Sequence, residues 1–480
     1  MNKRMILYLI GALLLLEAAL MLLPLAAAAL YGEGSGWYFL AVLLGAAGLG
    51  GLLMLLSRPR TKTIYAKEGL FTVALCWIVL SLVGALPFTL SGEIPFYLDA
   101  VFEMISGFTT TGSSILTDVE ALSRCMLLWR SFSHWIGGMG ILVFMMAIFQ
   151  LEGGQGIHLL RAESPGPSVS KMVPRMADSS KILYGIYFAL TLIQMGFYLA
   201  GGLPLFDTIC CAFGTAGTGG FAIRADSFAG YSPYIQTVTT VFMALFGVNF
   251  SVYFFLLRRK FDLAYKNTEL RWYLAIIFGA ILLISLNIRT LYPGFSTALH
   301  HAAFSVSSLI TTTGYCTEDF NLWPELSRVI LVFLMIVGAC AGSTGGGLKV
   351  SRLVILARAA GAELRRILHP RTVKVVTVDG KPLTNDAIRA VSGYFIVYVL
   401  IAMASVLLIS FDNFDGSTTL SAVLATFNNI GPGLGLVGPV GNFAAFSPFS
   451  KVVLCLDMLF GRLELYPMLV LFLPSTWTKK

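Results

Sequence analysis

The stretch SLITTTGYC, residues Ser308–Cys316, decides the organisation of the chain because three related runs accompany it. They are FTTTGS at Phe108–Ser113, FGTAGTGG at Phe213–Gly220 and FNNIGPG at Phe427–Gly433. The last core glycines, at 112, 219, 314 and 431, are separated by 107, 95 and 117 residues. Four similar runs at similar spacing indicate an internal repeat of four units.

The composition excludes a soluble protein. The chain has 480 residues, of which 57% are hydrophobic and 12% are charged, and its mean hydropathy is +0.80. A soluble protein carries roughly 25% charged residues, so this chain has too few to cover a water-facing surface. The net charge of +8 does not indicate nucleic acid, because the basic residues lie in short loops between apolar runs, where they set membrane orientation.

The apolar segments predict an all-α membrane protein with an N-terminal helical pair, Met5–Leu30 and Trp37–Leu56, followed by four tandem repeats around one pore. Each repeat reads as helix, pore helix, filter loop and helix. The pore helices are too short to cross a bilayer core, which needs about 20 apolar residues. They are Pro95–Gly107, Leu205–Phe213, Ser296–Ile310 and Thr418–Phe427. The second helices are predicted as spans at Met126–Phe149, Tyr234–Leu257, Val329–Leu356 and Lys451–Leu473. The boundaries are 1–68 for the pair and 69–160, 161–260, 261–375 and 376–480 for the repeats.

The distribution of basic residues predicts how the chain is oriented in the membrane. Basic clusters such as Arg58–Lys67, Arg258–Lys266 and the block Lys349–Arg389 fall on one side of the predicted spans, which is therefore the cytoplasmic side. This arrangement predicts about ten spans, cytoplasmic termini and four filter loops that face outward.

The four loops have the chemistry of a cation filter. Irregular backbone at membrane depth is tolerated where it lines a watery cavity, and a ring of carbonyl and Thr oxygens can replace the hydration shell of a monovalent cation. Glycine permits the left-handed backbone that such a loop needs. No acidic residue lies in the four cores, which argues against a divalent-ion site. The predicted filter residues are Thr110, Thr111, Gly112, Thr218, Gly219, Thr312, Thr313, Gly314, Asn429, Ile430 and Gly431, with K⁺ held at the Thr, Asn and Ile positions among them.

Three motifs add to the four runs: WIGGMGI at Trp135–Ile141, ACAGSTGGGLK at Ala339–Lys349 and GRLE at Gly461–Glu464. With them, nearly the whole chain resembles the Trk/Ktr/HKT superfamily of potassium transporters, and it is most similar to the bacterial TrkH/TrkG type of uptake subunit. The extra N-terminal pair favours this type. The resemblance implies K⁺ as the transported ion, no organic cofactor in this chain and a bacterial inner-membrane location. It also implies a homodimer and a cytosolic nucleotide-binding regulatory subunit of the TrkA type, which the basic block Lys349–Arg389 would meet.

The glycine-rich segment within the second helix of repeat 3 predicts a broken helix, because glycine costs about 1 kcal/mol per residue in a helix interior. The resemblance implies that this segment is an intramembrane gate formed by Gly342, Ser343, Thr344, Gly345, Gly346 and Gly347. A phosphate-binding loop is excluded because Leu348, and not lysine, follows the glycines. Close helix packing through small residues stays open as an alternative.

Arg462 is a charged residue within a predicted span, where charge is expensive and faces a cavity or a partner. The resemblance places it below the filter, where it would repel cations. The alternative is a salt bridge with Asp457 or Glu464.

Other functions have weaker support. The neighbours His300 and His301 point in different directions on a helix and make a poor ligand pair. The seven cysteines lack a Cys-x-x-Cys spacing and are interpreted as free thiols. No Gly-x-Ser-x-Gly or His-Glu-x-x-His motif points to an enzyme. The leading hypothesis is channel-like K⁺ permeation, and the alternative is an H⁺- or Na⁺-coupled symporter.

Overall fold

The structure, a computed structural model, describes residues 2–59, 65–140, 176–371 and 375–474. The predicted continuation of the second helix of repeat 1 to Phe149 lies outside these residues. Within them the fold is built almost entirely from helices, as the sequence predicts. The strands form one two-stranded antiparallel hairpin, Thr377–Val378 with Lys381–Pro382.

The N-terminal pair consists of a broken first helix, Lys3–Leu20 and Leu22–Tyr31, and a second helix, Gly36–Leu56. The two cross closely through glycines: a Cβ built on Gly11 would lie 2.7 Å from the carbonyl oxygen of Gly50. Small residues at a crossing let two backbones approach without side chains between them, which is a common way to pack helices in a membrane.

Every repeat has the predicted first helix and pore helix. The sequence predicts the first helices at Gly69–Leu90, Ile182–Leu203, Trp272–Leu291 and Val391–Phe411. The first helices are Ala66–Ser91, Met176–Ala200, Thr268–Ile288 and Asn385–Ile409. The pore helices are Tyr97–Phe108, Leu205–Ala216, Phe295–Ile310 and Gly416–Phe427. The pore helices are largely buried, whereas the first helices of repeats 3 and 4 expose large apolar side chains such as Phe278 and Leu407. Such exposure suits contact with lipid.

The second helices of repeats 2 and 4 are broken, which corrects the sequence prediction, and that of repeat 3 is broken at its glycine-rich segment as predicted. The first parts of the four second helices are Arg124–Gly138, Pro233–Phe246, Glu325–Val337 and Pro448–Arg462. In repeat 2 the chain bends by 90° before it continues as Phe250–Leu257. In repeat 3 it continues, after the glycine-rich segment, as Val350–Leu368, and in repeat 4 as Tyr466–Phe472. The predicted uninterrupted spans Tyr234–Leu257 and Lys451–Leu473 are therefore wrong.

The breaks in repeats 2 and 4 have different causes. In repeat 2, the side chain of Asn249 accepts the N–H of Ser251 and starts a new helix after Gly247. In repeat 4, Glu464 and Leu465 both adopt left-handed φ values, of 59° and 64°. Left-handed backbone at a non-glycine residue costs roughly 1–2 kcal/mol, so this break is imposed by its surroundings.

Six helices of the described part of the chain are long and apolar enough to cross a membrane, or seven if the bent pair of repeat 2 is counted as one span. The interrupted second helices explain why this number is lower than ten, which stays a prediction. The remaining short elements are the helix Phe261–Tyr265 and the 3-10 turns Phe320–Leu322, Ser410–Asp412 and Gly435–Val437.

Candidate ion-conduction site

The four filter segments share one backbone conformation. In each, a polar residue in left-handed conformation follows the pore helix, and a glycine with positive φ comes two residues later. The polar residues are Thr110, Thr218, Thr312 and Asn429, with φ of 54°, 52°, 58° and 56°, and the glycines are Gly112, Gly220, Gly314 and Gly431, with φ of 82°, 78°, 82° and 99°. A positive φ is rare for residues other than glycine, which explains why glycine occupies the last position of each segment.

The structure shifts the predicted register of filter 2 by one residue. The N–H of Thr111 donates to the carbonyl of Ser106 at 2.9 Å, and the matching bond of repeat 2 runs from Gly219 to Gly214, also at 2.9 Å. Gly219 therefore corresponds to Thr111, and the filter glycine of repeat 2 is Gly220. The prediction of Gly219 for that position was wrong because two consecutive glycines end this run and the sequence does not say which one adopts positive φ.

The four segments form a closed ring. A Cβ built on each filter glycine would approach the carbonyl oxygen that precedes the filter glycine of the next repeat. The distances are 2.0 Å from Gly112 to Gly219, 1.8 Å from Gly220 to Thr313, 2.0 Å from Gly314 to Ile430 and 2.9 Å from Gly431 to Thr111. Each glycine thus leaves room for a neighbouring carbonyl, and the fourth repeat closes onto the first.

The ring is buried and most of its polar side-chain atoms are paired, whereas Oδ1 of Asn429 has no hydrogen-bond partner among the described residues. The side chains predicted to face the ion are at most 1% exposed. In repeats 1 and 3 the first and third Thr of the run share a hydroxyl hydrogen bond, at 2.8 Å in both cases. In repeat 4, Asn429 donates to Thr111 Oγ1 at 2.9 Å and to the carbonyl of Met458 at 2.8 Å, which ties the last filter segment to the first.

A cavity of about 170 Å³ opens at the glycine end of the ring. All four filter glycines line it: Gly112, Gly220, Gly314 and Gly431. Arg130 and Arg224 are its charged lining residues within the described chain, and no carboxylate contributes. The four segments therefore meet at one opening, as a single pore requires.

The glycine-rich segment of repeat 3 lies against the opposite end of the ring. The N–H of Gly346 donates to Thr312 Oγ1 at 2.6 Å. A Cβ on Gly346 would lie 2.3 Å from the carbonyl oxygen of Asn428, and one on Gly345 would lie 2.8 Å from that of Thr311. The glycines are needed here because the loop touches filter backbone directly. This contact shows the close packing that was one predicted role of the segment, and the other role, an intramembrane gate, stays a prediction.

Glu269, which the sequence analysis did not single out, holds both ends of this loop. Its Oε1 accepts the N–H of Ala341 at 2.7 Å and that of Ser351 at 3.0 Å. The side chain is 8% exposed. The signal in the sequence is weak, because an acidic residue in the first turn of a helix is also an ordinary feature of helix N-termini.

Arg462 contacts the filter, the loop and the end of a helix at once. Its guanidinium donates to Thr110 Oγ1 at 3.2 Å and to the carbonyl of Thr344 at 2.9 Å. It also donates to the carbonyls of Gly137 and Gly138, at 2.7 Å for the latter. The planar fork of arginine suits such convergent acceptors.

The two acids predicted as alternative partners of Arg462 bond elsewhere. Asp457 accepts from Ser405 Oγ at 2.6 Å. Glu464 forms an ion pair with Arg352, whose side chain is 6% exposed. The positive charge of Arg462 therefore lies against the Thr110 end of the filter.

The weaker candidates of the sequence analysis do not form sites. His300 bonds to Gln236 at 2.7 Å and His301 to Thr317 at 3.0 Å, so the two rings serve different partners. All seven cysteines are buried free thiols, as predicted. Among the described residues no group of three His, Cys, Asp or Glu side chains is arranged to hold a metal ion.

A family model for TrkH, described as a cation transport protein, matches residues 39–479. The chain belongs to the TrkH family. It is 37% identical to the Trk system potassium uptake protein TrkH of Salmonella typhimurium, over 99% of this chain and all of that protein. It is 31% identical to the potassium uptake protein TrkG of Escherichia coli, over 99% of both chains.

The crystal structure of the potassium transporter TrkH from Vibrio parahaemolyticus matches the whole chain with a TM-score of 0.89 and 33% sequence identity, and all of that chain is covered. The fold predicted from the sequence is thereby confirmed. So is the assignment to a family of membrane transport proteins, which are not enzymes.

Proposed function

We propose that this TrkH-family protein takes up potassium by channel-like permeation through the ring of four filter segments. The closed contact between each filter glycine and the next carbonyl carries the proposal, because it gathers the four segments around a single opening. Curated relatives that match nearly the full length are named potassium uptake proteins.

Backbone carbonyls and hydroxyls suit K⁺. The cargo would meet oxygen atoms of Thr110, Thr111, Thr218, Thr312, Thr313, Asn429 and Ile430, with the filter glycine of repeat 2 at Gly220. These groups are neutral, so they can replace hydration water without binding an ion too tightly to release it. The carboxylate-free cavity at the glycine end agrees with a monovalent cargo.

The gate of this proposal consists of the loop Gly342–Gly347 together with Arg462. The loop bonds to Thr312, and Arg462 bonds to Thr110 and Thr344, so both lie across the exit from the ring. A cation that leaves the filter would be repelled by the charge of Arg462 and blocked sterically by the backbone of the loop. Opening requires the loop to move away from the Thr312 hydroxyl.

A cytosolic nucleotide-binding regulatory subunit of the TrkA type would supply that movement. The helix Val350–Leu368 follows the loop and carries Arg365 and Arg366 in its last turn, so it offers a basic surface that the partner could bind. A homodimer in the inner membrane of a bacterium, with both termini cytoplasmic, completes the proposal.

Ion flux in proteoliposomes that contain the purified chain tests the filter. We expect downhill K⁺ flux without an H⁺ or Na⁺ gradient, and a higher K⁺ than Na⁺ permeability. Gly314→Ser should reduce this preference, because the new Cβ would lie 2.0 Å from the carbonyl oxygen of Ile430 and would displace it.

Gly279→Ser is the matched control. Gly279 lies in the first helix of the same repeat, and a Cβ there meets nothing within 4 Å. If Gly314→Ser and Gly279→Ser leave the same ion ratio, the filter assignment is wrong. Flux that appears only when an H⁺ or Na⁺ gradient is imposed would favour the coupled symporter.

A further inference from the structure

A buried ion pair lies beside filters 1 and 2, at the edge of the cavity at their glycine end. Glu103, on pore helix 1, is fully buried, and Arg130, on the second helix of repeat 1, is 2% exposed. Arg130 Nε donates to Glu103 Oε1 at 2.8 Å, and Nη2 lies 2.7 Å from the same oxygen. A buried ion pair is tolerated where further hydrogen bonds satisfy both groups.

Those further bonds go to the two chain segments that follow filters 1 and 2. Glu103 accepts the N–H of Ile115 at 3.0 Å and the hydroxyl of Ser114 at 2.9 Å. Arg130 donates to the carbonyl of Ala222 at 3.3 Å and lies 4.0 Å from the ring centre of Phe221. The pair therefore fixes backbone in two repeats.

His134, one helical turn beyond Arg130, adds a second link to filter 2. Its Nε2 accepts the N–H of Phe221 at 3.1 Å, so the ring proton is on Nδ1, which donates to the carbonyl of Gly107 at 2.7 Å. Phe221 follows the filter glycine Gly220 directly. The neutral imidazole thus joins the end of pore helix 1 to the end of filter 2.

These residues have no counterpart in the other repeats. The second helices can be aligned on their N-caps, which are Ser123, Ser232, Pro324 and Ser447. In this alignment the residues equivalent to Arg130 are Thr239, Leu331 and Leu454. The residues equivalent to His134 are Met243, Met335 and Met458. When the pore helices are aligned on the filter glycines, the place of Glu103 is taken by Cys211, Ser305 and Ala422.

Filter 2 has no side chain at the two positions that brace filters 1 and 3, whereas filter 4 carries Asn428 and Ile430 there. Repeats 1 and 3 brace their filters with a hydroxyl pair, Thr109 with Thr111 and Thr311 with Thr313. Repeat 2 has Gly217 and Gly219 at these two positions and forms no such pair. The imidazole of His134 fills the space that remains: a Cβ on Gly219 would lie 2.3 Å from its ring atoms.

We propose that Glu103, Arg130 and His134, the filter brace, are positioning residues that hold filter 2 in its ion-selective geometry from the neighbouring repeat. None of the three forms a hydrogen bond to a carbonyl of Thr218–Gly220. Arg130 lines the cavity at the glycine end with its charge paired by Glu103, and the effect on filter 2 passes through Phe221 and Ala222. This proposal rests on the filter function proposed above. It assigns part of the ion selectivity of the filter to the side chains of Glu103, Arg130 and His134.

His134→Met tests the brace, because it installs the residue that the other three repeats carry at this place. The fold and the rate of K⁺ flux should survive. The K⁺ over Na⁺ permeability ratio, from reversal potentials or paired flux measurements, should fall roughly two- to tenfold, which corresponds to the loss of one hydrogen bond to the filter backbone. Met243→Leu, a volume-conserving change at the equivalent place of repeat 2, should leave the ratio unchanged.

A second set of variants separates positioning from stability. Glu103→Met and Arg130→Met should each lower the melting temperature, because each strands a buried charge. The double variant should recover much of that stability and still show the reduced ion ratio, because the bonds to Ile115 and Ala222 stay lost.

The proposal is overturned if His134→Met keeps the wild-type ratio, or if the ratio recovers together with stability in the double variant. A changed ratio in Gly314→Ser with an unchanged ratio in His134→Met would overturn the brace alone. Equal ratios in wild type, Gly314→Ser and His134→Met would overturn the filter assignment and the brace together.

Discussion

The charge of Arg462 should set the basal conductance of this protein, and Arg462→Met isolates that charge. Methionine preserves much of the length of the side chain but removes the guanidinium. In the structure this group donates to Thr110 Oγ1 at 3.2 Å and to the carbonyl of Thr344 at 2.9 Å. The substitution therefore removes both the proposed cationic barrier and a tether of the loop Gly342–Gly347, which is the proposed gate.

The size of the barrier follows from the distance. A K⁺ ion bound to the Thr110 oxygen would lie roughly 6 Å from the guanidinium, where two unit charges repel by about 3 kcal/mol at an effective dielectric constant of about 20. If that repulsion limits passage, its removal raises the rate by about a hundredfold, since each 1.4 kcal/mol of barrier is about a factor of ten. Relaxation of the loop and ordered water would reduce the gain, so we expect a rise of about ten- to a hundredfold.

Rb⁺ or K⁺ efflux from proteoliposomes, normalised to the amount of incorporated protein, measures this rise. Arg462→Lys keeps the charge and loses the fork, so it should stay near the wild-type rate. Arg271→Met, at an exposed position of the first helix of repeat 3, controls for a lost surface charge. Equal rates in Arg462→Met and Arg462→Lys would refute the electrostatic account.

Further expectations concern the loop and its anchors. Gly346→Ala should raise basal K⁺ flux roughly fivefold, because its Cβ would lie 2.3 Å from the carbonyl of Asn428 and the loop would lose a hydrogen bond worth about 1 kcal/mol. Gly361→Ala, on the open face of the following helix, is its control, and lost flux in a folded Gly346→Ala protein would indicate packing and not gating. Arg352→Met should destabilise the protein by about 3 kcal/mol in thermal unfolding, because it leaves Glu464 partly buried and unpaired. The double change Arg352→Met and Glu464→Met should restore most of that stability, and a single variant as stable as wild type would show that the pair contributes little.

The parts of the fold that the sequence predicts are those with a strong local signal. Short apolar segments before Thr- or Gly-rich runs located all four pore helices to within a few residues. The glycines at 342–347 predicted a broken helix, because several glycines close together in an apolar span strongly disfavour a continuous helix. The position of Arg462 beneath the filter came from the family resemblance, since its sequence neighbours Asp457 and Glu464 suggested a different pairing.

Three features were missed for physical reasons. The break in the second helix of repeat 4 depends on surroundings that hold Glu464 and Leu465 at positive φ, which no helix propensity reveals. The break in repeat 2 depends on the cap that Asn249 forms after Gly247, and an asparagine within an apolar run is a weak signal for it. The register of filter 2 was ambiguous because glycine tolerates both conformations, and only the hydrogen bond from Gly219 to Gly214 decides it. The filter brace links residues in different repeats, so spacing along the chain gives no sign of it.

The position of Arg462 has a consequence for how such a pore is encoded. When the second helices are aligned on their N-caps, the places equivalent to Arg462 hold Gly138, Gly247 and Ala339. A pore assembled from four identical subunits would have to place four guanidiniums beneath its filter, and their combined repulsion would close it to cations. Fusion of the four quarters into one polypeptide removes this restriction. Each quarter can then specialise separately, so that one supplies a single charge, another a single loop and a third a single imidazole, while the ring keeps its shared geometry.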